Sequence, residues 1–478
     1  MRAFADDVFF ATVGELGSRL RAREFSAAEL VRAFAERLET NGPRYNALAL
    51  SLREDGMKQA RTTDDRMKHG HLRGPLEGIP YGAKDLLAVQ DRITTWGARP
   101  FSGQVFDRDA TAIGNLDKAG AALIGKLSMI ELAGAGGYHS ASASLFGPGL
   151  NPWDRTRWSG GSSSGSGSAV AAGLIPFALG SETWGSIMNP CAYCGITGLR
   201  PTYGLVSRAG AMPVSWTMDK IGPMCRSAED CAIVLHAISG ADSHDPGSAG
   251  QRYYYWPAYA PDFKEMRIGF APVDFSEWAE PSARAAFLAA LDVIRATGVQ
   301  MMEVALPDFP YEEVAEVVIA TEGSAAFERL IESGDVDQLA DQRQIAGLRA
   351  GLDVAARDYL KAMRARRLIQ EALGRLFVEY DLLVSPSCFG PASRIADPVD
   401  SEPERPKPSQ RGLSDLCAAG NLAGLPALFL PCGFADGLPV GIQVVSRPFR
   451  EALLVAVGRE FQTRTDWHRR RPPVAPAA

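Results

Sequence analysis

Apolar residues recur at helical spacing near the start of the chain. Leu30, Phe34 and Leu38 follow the segment Ser26-Ala-Ala-Glu29, in which a serine precedes a glutamate by three positions. That spacing is typical of a capping box at the N-terminus of a helix. Residues 1–70 are therefore predicted to form an N-terminal helical segment that serves as a scaffold.

Helical patterns that run into short apolar stretches predict an α/β fold. The pattern from Asp109 to Gly125 is such a unit, and Leu425–Pro431 and Val440–Val445 are two further strand candidates near the end. No internal repeat or compositional break divides the chain. We therefore predict a single α/β domain over 1–478, with a mixed, mostly parallel central sheet flanked by helices on both faces.

The second half of the chain contains the less regular segments. Residues 250–380 hold a strand-helix-strand unit from Met266 to Leu306, followed by long helices, and are predicted to be a variable helical region over the site. Residues 390–412 are rich in proline and charge, which predicts a mobile loop.

Composition excludes several classes of function. The chain has 46% hydrophobic residues and a net charge of −6 without a basic run, which argues against a nucleic-acid partner. No apolar run approaches the ~18 residues of a membrane span, and two aspartates stand where a signal peptide would be basic, so we expect a cytoplasmic protein. Seven cysteines, with Cys191 and Cys194 as the one close pair, indicate buried free thiols rather than disulfides or a zinc site.

A glycine and serine run has the composition of a linker but not the context of one. The run SGGSSSGSGS at 159–168 leads directly into the apolar stretch Ala169–Leu179, so it is predicted to be a loop that opens onto a buried helix and strand. Upstream, the segment Gly78–Asp85 reads as a short strand that delivers Lys84 to its end.

These segments supply what an amide hydrolase without metal or histidine needs. Such an enzyme requires a hydroxyl nucleophile, a base and N–H donors for the oxyanion. The turn Gly180–Ser186 follows an apolar strand, so Ser186 can stand at its tip. The consecutive backbone N–H groups of Thr183, Trp184, Gly185 and Ser186 can form a nest for the oxyanion.

Residues 160–207 resemble the amidase signature, and the similarity extends over essentially the whole chain. The resemblance implies a Ser–cis-Ser–Lys triad: Ser186 as nucleophile, Ser162 as bridge, Lys84 as base, and a cis peptide bond before Ser162. It also implies that Met129 and Tyr138 lie near the triad and contact substrate. Neither a metal nor an organic cofactor is expected, because the triad provides both nucleophile and base.

The chain departs from the family pattern at the nucleophile. Where the family has Gly-Gly-Ser-Ile-Arg, this chain has Trp184-Gly-Ser-Ile-Met188, and Glu182 replaces the usual aspartate. Trp184 either forms a wall of the substrate site or braces the loop from beneath. Met188 removes a cation that could hold a local carboxylate, and Glu182 could cap backbone N–H groups instead.

The predicted function is hydrolysis of an amide, anilide or carbamate bond in a small uncharged substrate through a Ser186 acyl-enzyme. One alternative is the amidase-like subunit of a tRNA-dependent amidotransferase, which would free ammonia from glutamine for a partner protein. Another is an esterase-type α/β-hydrolase, because Gly161–Gly165 formally matches G-x-S-x-G around Ser163. The expected partner is a small molecule, and a homodimer is left open.

Overall fold

The computed structural model describes residues 4–399 and 409–473. Within them, eleven strands form one sheet. The strands are β1 (Leu48–Ser51), β2 (Pro80–Lys84), β3 (Ala122–Leu127), β4 (Phe177–Glu182), β5 (Thr197–Arg200), β6 (Lys220–Cys225), β7 (Arg267–Phe270), β8 (Gln300–Glu303), β9 (Leu382–Pro386), β10 (Ala427–Ala435) and β11 (Leu438–Ser446).

Helices flank this sheet. They are α1 (Asp6–Phe9), α2 (Val13–Arg21), α3 (Ala27–Asn41), α4 (Arg53–Lys68), α5 (Thr111–Ala119), α6 (Ser164–Ala171), α7 (Met188–Cys194), α8 (Ala228–Ile238), α9 (Arg284–Arg295), α10 (Tyr311–Ala326), α11 (Glu328–Glu332), α12 (Gln342–Leu352), α13 (Ala356–Glu379), α14 (Leu416–Leu422) and α15 (Glu451–Arg464).

The sheet is mixed, as predicted, but antiparallel pairings outnumber parallel ones. Its strand order is β1-β3-β2-β4-β6-β5-β10-β11-β9-β7-β8. Strand β2 is parallel to β3 and β4, and β7 is parallel to β8 and β9, whereas every pairing from β4 to β9 through the centre is antiparallel. The expectation of a mostly parallel sheet is corrected accordingly.

The central strands explain this correction. The helix-then-strand units that suggested a parallel sheet lie towards its two ends. Strands β10 and β11 are instead joined directly by Asp436 and Gly437, whose φ angles are +52° and +77°. Positive φ at both central residues is the geometry of a tight hairpin, which forces its strands to be antiparallel.

The N-terminal segment confirms one prediction and adds an unpredicted strand. The Ser26 hydroxyl accepts from the Glu29 N–H at 3.1 Å, and the Glu29 carboxylate accepts from the Ser26 N–H at 2.9 Å, which is the capping box of α3. Strand β1 lies at an edge of the sheet and pairs antiparallel with β3. Its four residues show no clean alternation of buried and exposed positions, so periodicity did not reveal it.

The glycine and serine run opens onto a buried helix, as predicted. All residues of α6 are buried, and the helix packs against β2, β3, β4 and β6. A Cβ atom at Gly165 would lie 2.6 Å from the Ala47 carbonyl oxygen and 2.6 Å from the Ser128 nitrogen. Only glycine permits so close a backbone approach.

The loop predicted at 390–412 is irregular where it is described, at 390–399 and 409–412. Residues 400–408 lie outside the described residues. Within the described chain, no helix combines the length and apolar character required to cross a membrane.

Candidate active site

Lys84 is the last residue of β2 and is fully buried. Its Nζ donates hydrogen bonds to Ser162 Oγ at 2.7 Å and to Ser181 Oγ at 2.9 Å. Burial lowers the pKa of Lys84 from 10.5 to about 7, although Asp219 and Glu182 act to raise it. A large share of Lys84 is therefore neutral near pH 7 and able to accept a proton.

Ser162 lies in the loop before α6, and its peptide bond to Gly161 is cis, as the resemblance implies. The Gly161 N–H donates to Asn189 Oδ1 at 3.0 Å, and the Ser162 carbonyl accepts from the Ile130 N–H at 3.1 Å. A hydrogen bond of 3.0 Å joins Ser162 Oγ to Ser186 Oγ. The Ser162 hydroxyl therefore lies between the lysine and the second serine.

Ser186 lies in the turn between β4 and α7. Gly185 before it has a φ of +87°, a conformation that favours glycine. Ser186 is 9% exposed and lines a cavity, whereas Lys84 and Ser162 are fully buried. The structure thus brings the three predicted residues into one hydrogen-bonded chain whose outer end can meet a substrate.

The backbone beside Ser186 is available to an oxyanion. The N–H groups of Trp184, Gly185 and Ser186 donate no hydrogen bond to any residue that the structure describes, and all three residues line the cavity together with Thr183. Free N–H groups fixed beside a nucleophile suit a developing oxyanion. The Thr183 hydroxyl donates to Asp219 Oδ1 at 2.6 Å and so anchors the turn from the side.

Glu182 anchors the same turn from within the core. Its Oε2 accepts from the backbone N–H groups of Ile187 at 2.8 Å and Met188 at 3.0 Å, the capping role considered for it from the sequence. Its Oε1 accepts from Arg200 Nη1 at 2.8 Å and Asn421 Nδ2 at 3.0 Å. Burial alone would raise the pKa of Glu182, but Arg200 and Lys220 hold it below its usual value.

Sequence reasoning missed Arg200 and Asn421 as partners of the turn. They lie 18 and 239 positions from Glu182, on β5 and α14, so no local spacing connects them. Arg200 supplies the cation that Met188 does not. One signal in the sequence could have suggested Arg200. Met188 removes the local cation while Glu182 keeps a carboxylate, and a buried carboxylate needs a cation from another part of the chain.

The half-buried Asp219 and the buried Lys220 lie next to the triad. Asp219 accepts from the backbone N–H groups of Val214 at 2.8 Å and Ser215 at 3.0 Å, and burial raises its pKa. Burial and Arg200 lower the pKa of Lys220 to about 7. Two buried lysines beside the turn therefore change charge over the same pH range.

The cavity outside Ser186 has a volume of 710 Å³. Tyr138 and Trp184 line it, where the sequence analysis expected substrate contacts. Trp184 is half-buried and also packs against the hydrophobic core, so its ring combines the two placements considered for it. Residues of α10 and α12, and Val399 from the irregular segment, complete the lining.

Met129 does not line this cavity. It follows β3 directly and is fully buried in the hydrophobic core. The expected contact of Met129 with substrate is therefore corrected, because β3 is buried at all six of its positions and Met129 packs in the same core just after it. The lining also contains two charged side chains that the sequence did not indicate, Glu316 and Arg343.

The α/β-hydrolase alternative is not supported by the placement of its residues. Ser163 is fully buried, and its hydroxyl donates to the Ser181 carbonyl at 3.2 Å. His236 contacts the Tyr253 carbonyl at 3.2 Å, and His244 contacts Asp242. His468 is buried near Arg469 and Asp466. In the part of the chain that the structure describes, no hydrogen bond joins any of these three histidines to Ser163.

Cys191 and Cys194 are buried free thiols, as predicted. Among residues 4–399 and 409–473, no group of three or more histidine, cysteine, aspartate or glutamate side chains is placed to hold a metal ion.

Comparison with known proteins identifies the family. The sequence profile of the Amidase family matches residues 29–455. A glutamyl-tRNA(Gln) amidotransferase subunit from Chloroflexus aggregans (strain MD-66 / DSM 9485) is 37% identical over 98% of this chain and 100% of its own.

Solved structures show the same similarity. The native peptide amidase from Stenotrophomonas maltophilia superposes with a TM-score of 0.84 and 32% identity, covering 98% of this chain and 99% of its own. A chain from a vestigial protein complex, described for the evolutionary origins of an s-triazine catabolic enzyme, superposes with a TM-score of 0.85 and 30% identity, covering 95% and 98%.

The α/β fold and these matches identify the class of the protein: hydrolases that act on carbon–nitrogen bonds. The chain belongs to the amidase signature family.

Proposed function

We propose that this chain hydrolyses a carbon–nitrogen amide bond through an acyl-enzyme on Ser186. The observation that carries the proposal is the chain of hydrogen bonds from Lys84 Nζ to Ser162 Oγ at 2.7 Å and from Ser162 Oγ to Ser186 Oγ at 3.0 Å. A base within hydrogen-bond reach of a bridging hydroxyl, which itself reaches the nucleophile, meets the geometric requirement for proton transfer.

The steps follow from this geometry. Neutral Lys84 accepts the Ser162 proton while Ser162 accepts the Ser186 proton, and Ser186 Oγ attacks the amide carbonyl carbon. The backbone N–H groups of residues 184 to 186 stabilise the oxyanion. The carbon–nitrogen bond then breaks, and the relay returns the proton to the leaving amine. A water molecule, deprotonated by the same relay, hydrolyses the acyl-enzyme and releases the acid.

Covalent labelling tests this proposal. A fluorophosphonate probe should form an adduct on Ser186 that tandem mass spectrometry locates, and Ser186→Ala should remove the adduct. Labelling of Ser163 in place of Ser186 would overturn the assignment. Turnover of an anilide, a primary amide, an aryl carbamate and an ester would then define which bond the enzyme prefers, because all four pass through similar tetrahedral intermediates.

A second candidate is glutamine hydrolysis as one component of an amidotransferase. The similarity to glutamyl-tRNA(Gln) amidotransferase subunits over the full length of both chains supports it more than it supports a stand-alone hydrolase. Trp184 and Met188 replace the glycine and arginine that the family usually has at this turn, and they favour the stand-alone enzyme.

The two candidates differ in what the isolated chain does. A stand-alone hydrolase should turn over members of the substrate panel without another protein. An amidotransferase component should hydrolyse glutamine, copurify from its native host with a partner protein, and gain activity when that partner is added. Copurification with a stimulating partner would decide for the amidotransferase.

A further inference from the structure

One face of α10 borders the cavity outside Ser186. Glu316, Ile319 and Ala320 line the cavity at helical spacing, and Gly323 continues the same face one turn later. A Cβ atom at Gly323 would lie 3.3 Å from the Val214 carbonyl oxygen, so the helix is packed closely against the cavity wall. Glu316 is thus a carboxylate on a face that is otherwise small or apolar.

The orientation of this face is fixed by another glutamate. Glu322 accepts hydrogen bonds from the Ser215 hydroxyl at 2.6 Å, the Thr217 N–H at 3.0 Å and the Tyr359 hydroxyl at 2.7 Å. These bonds join α10 to the segment after Val214 and to α13. Glu316 therefore belongs to an anchored helix that holds it at the cavity.

The Glu316 carboxylate has no partner among residues 4–399 and 409–473. Within the described chain, no hydrogen bond or ion pair involves it, and its side chain is exposed. Of the described residues that line the cavity, Arg343 is the one cation, and its Nη1 lies 3.4 Å from His139 Nδ1. Nothing in the described protein neutralises Glu316, although it faces the space where a substrate would lie.

Aromatic rings share the cavity with this carboxylate. Tyr138, Trp158 and Trp184 all line it, and the rings of Tyr138 and Trp158 pack edge to face with centroids 6.2 Å apart. Aromatic faces and carboxylates both attract cations, and the attraction strengthens when water is excluded.

We propose that Glu316 receives a positively charged nitrogen of the substrate, so that this enzyme acts on amides that carry an ammonium or guanidinium group away from the bond that is cut. The inference rests on the proposed function of Ser186. It replaces the expectation of an uncharged substrate, which rested on the lack of an obvious charged clamp in the sequence together with Trp184 and Met188.

Matched substrate pairs test this inference. One series comprises para-nitroanilides of ω-amino acids of graded chain length, paired with the alkanoyl para-nitroanilides of equal length. In the other series the ammonium group is on the amine that leaves, and each member is again matched with a neutral counterpart. We expect kcat/KM to be about tenfold higher for the ammonium member at the chain length that reaches Glu316, in one of the two series. Where turnover is slow, calorimetry measures the dissociation constants of the same pairs for Ser186→Ala and so gives the preference in binding.

Three variants separate recognition from general effects. Glu316→Gln should abolish the preference by raising KM for the ammonium member relative to KM for the neutral member of the same pair. Glu316→Lys should shift the preference towards carboxylate-ended substrates. Glu313→Gln, on the same helix but away from the cavity lining, should behave as wild type.

A wild-type enzyme without preference in either series, in turnover and in binding, would overturn the inference. So would a preference that survives in Glu316→Gln. Neither result affects the proposed function of Ser186, which is tested separately by the turnover of Ser186→Ala and by the site of covalent labelling.

Discussion

The triad and the cavity wall lie side by side but are built in opposite ways. Lys84, Ser162, Glu182 and Arg200 are fully buried, and protein groups contact Lys84 Nζ, Ser162 Oγ, both Glu182 carboxylate oxygens and Arg200 Nη1 at 2.7 to 3.0 Å. Glu316, by contrast, is exposed and has no protein partner in the described chain. In the first region the charges of Glu182 and Arg200 are paired with each other, whereas in the second a carboxylate charge is left for a ligand.

This difference separates chemistry from selectivity. A change in the buried region should affect all substrates alike, because every amide uses the same nucleophile, base and oxyanion donors. A change in the lining should alter the ratio between substrates and leave stability nearly intact. Four measurements test whether chemistry and selectivity are separated in this way.

The largest effect is expected from Ser186→Ala. Loss of the nucleophile should reduce kcat on the order of 10⁵-fold for every substrate and abolish acyl-enzyme formation. Ser162→Ala should cost less, because water could replace the bridging hydroxyl. Ser163→Ala, which removes the neighbouring hydroxyl packed on the Ser181 carbonyl, should keep most turnover. Near-wild-type kcat in Ser186→Ala would contradict the assignment.

Glu182→Ala should lower the free energy of unfolding by about 3–5 kcal/mol, because it leaves the buried Arg200 guanidinium without its carboxylate. Denaturant unfolding measures this loss, and turnover should fall for all substrates because the turn loses its cap. The control is Glu36→Ala in the exposed Arg53–Glu36 ion pair, which has a similar length of 2.7 Å and should cost less than about 1 kcal/mol. An equal loss in the free energy of unfolding in the two variants would show that burial does not determine what each ion pair contributes to stability.

The pH dependence of kcat/KM should have one limb near pH 7. The pKa of Lys84 is lowered to about 7, and its neutral form is the base, so activity should rise as pH increases through 7 and level off above it. Two pH units below, kcat/KM should be about a hundredfold lower. Lys220→Gln removes the other lysine whose pKa is about 7 and should leave the limb in place. If the limb disappears in Lys220→Gln, the limb reports the titration of Lys220 and not that of Lys84.

The smallest effect is expected from Trp184→Gly. As a wall of the cavity, the indole should set the preference between bulky and small substrates by about 1–2 kcal/mol, which kcat/KM ratios measure. The melting temperature should change little, because the ring is only half-buried. A sharp fall in melting temperature with unchanged preference would show that Trp184 braces the loop instead.

Local signals in the sequence predicted the local parts of the structure well. The capping box of α3 depends on two residues three positions apart, and the strand that ends at Lys84 depends on one apolar run. The strand-helix-strand unit of β7, α9 and β8 and the long helices that follow it were predicted for the same reason.

Features that depend on distant contacts were not predicted. The antiparallel centre of the sheet joins the β10–β11 hairpin to strands far away along the chain, since β10 pairs with β5 and β11 pairs with β9. Arg200 reaches Glu182 from β5, and Glu316 reaches the cavity from α10, each through the tertiary fold. Met129 was placed near substrate by analogy, yet it packs in the hydrophobic core after β3 and does not line the cavity. A sequence specifies such relations only through the complete packing of the core.

The buried helix α6 has a consequence for anyone who alters this protein. Its run of serine and glycine has the composition of a flexible linker, a kind of segment that is often lengthened or shortened in engineered proteins. At Gly165, however, there is no room for even one additional carbon atom between Ala47 and Ser128. Insertional tolerance, normally high in sequences of this composition, should be close to nil here. The permissive sites for tags or circular permutation lie elsewhere on the surface.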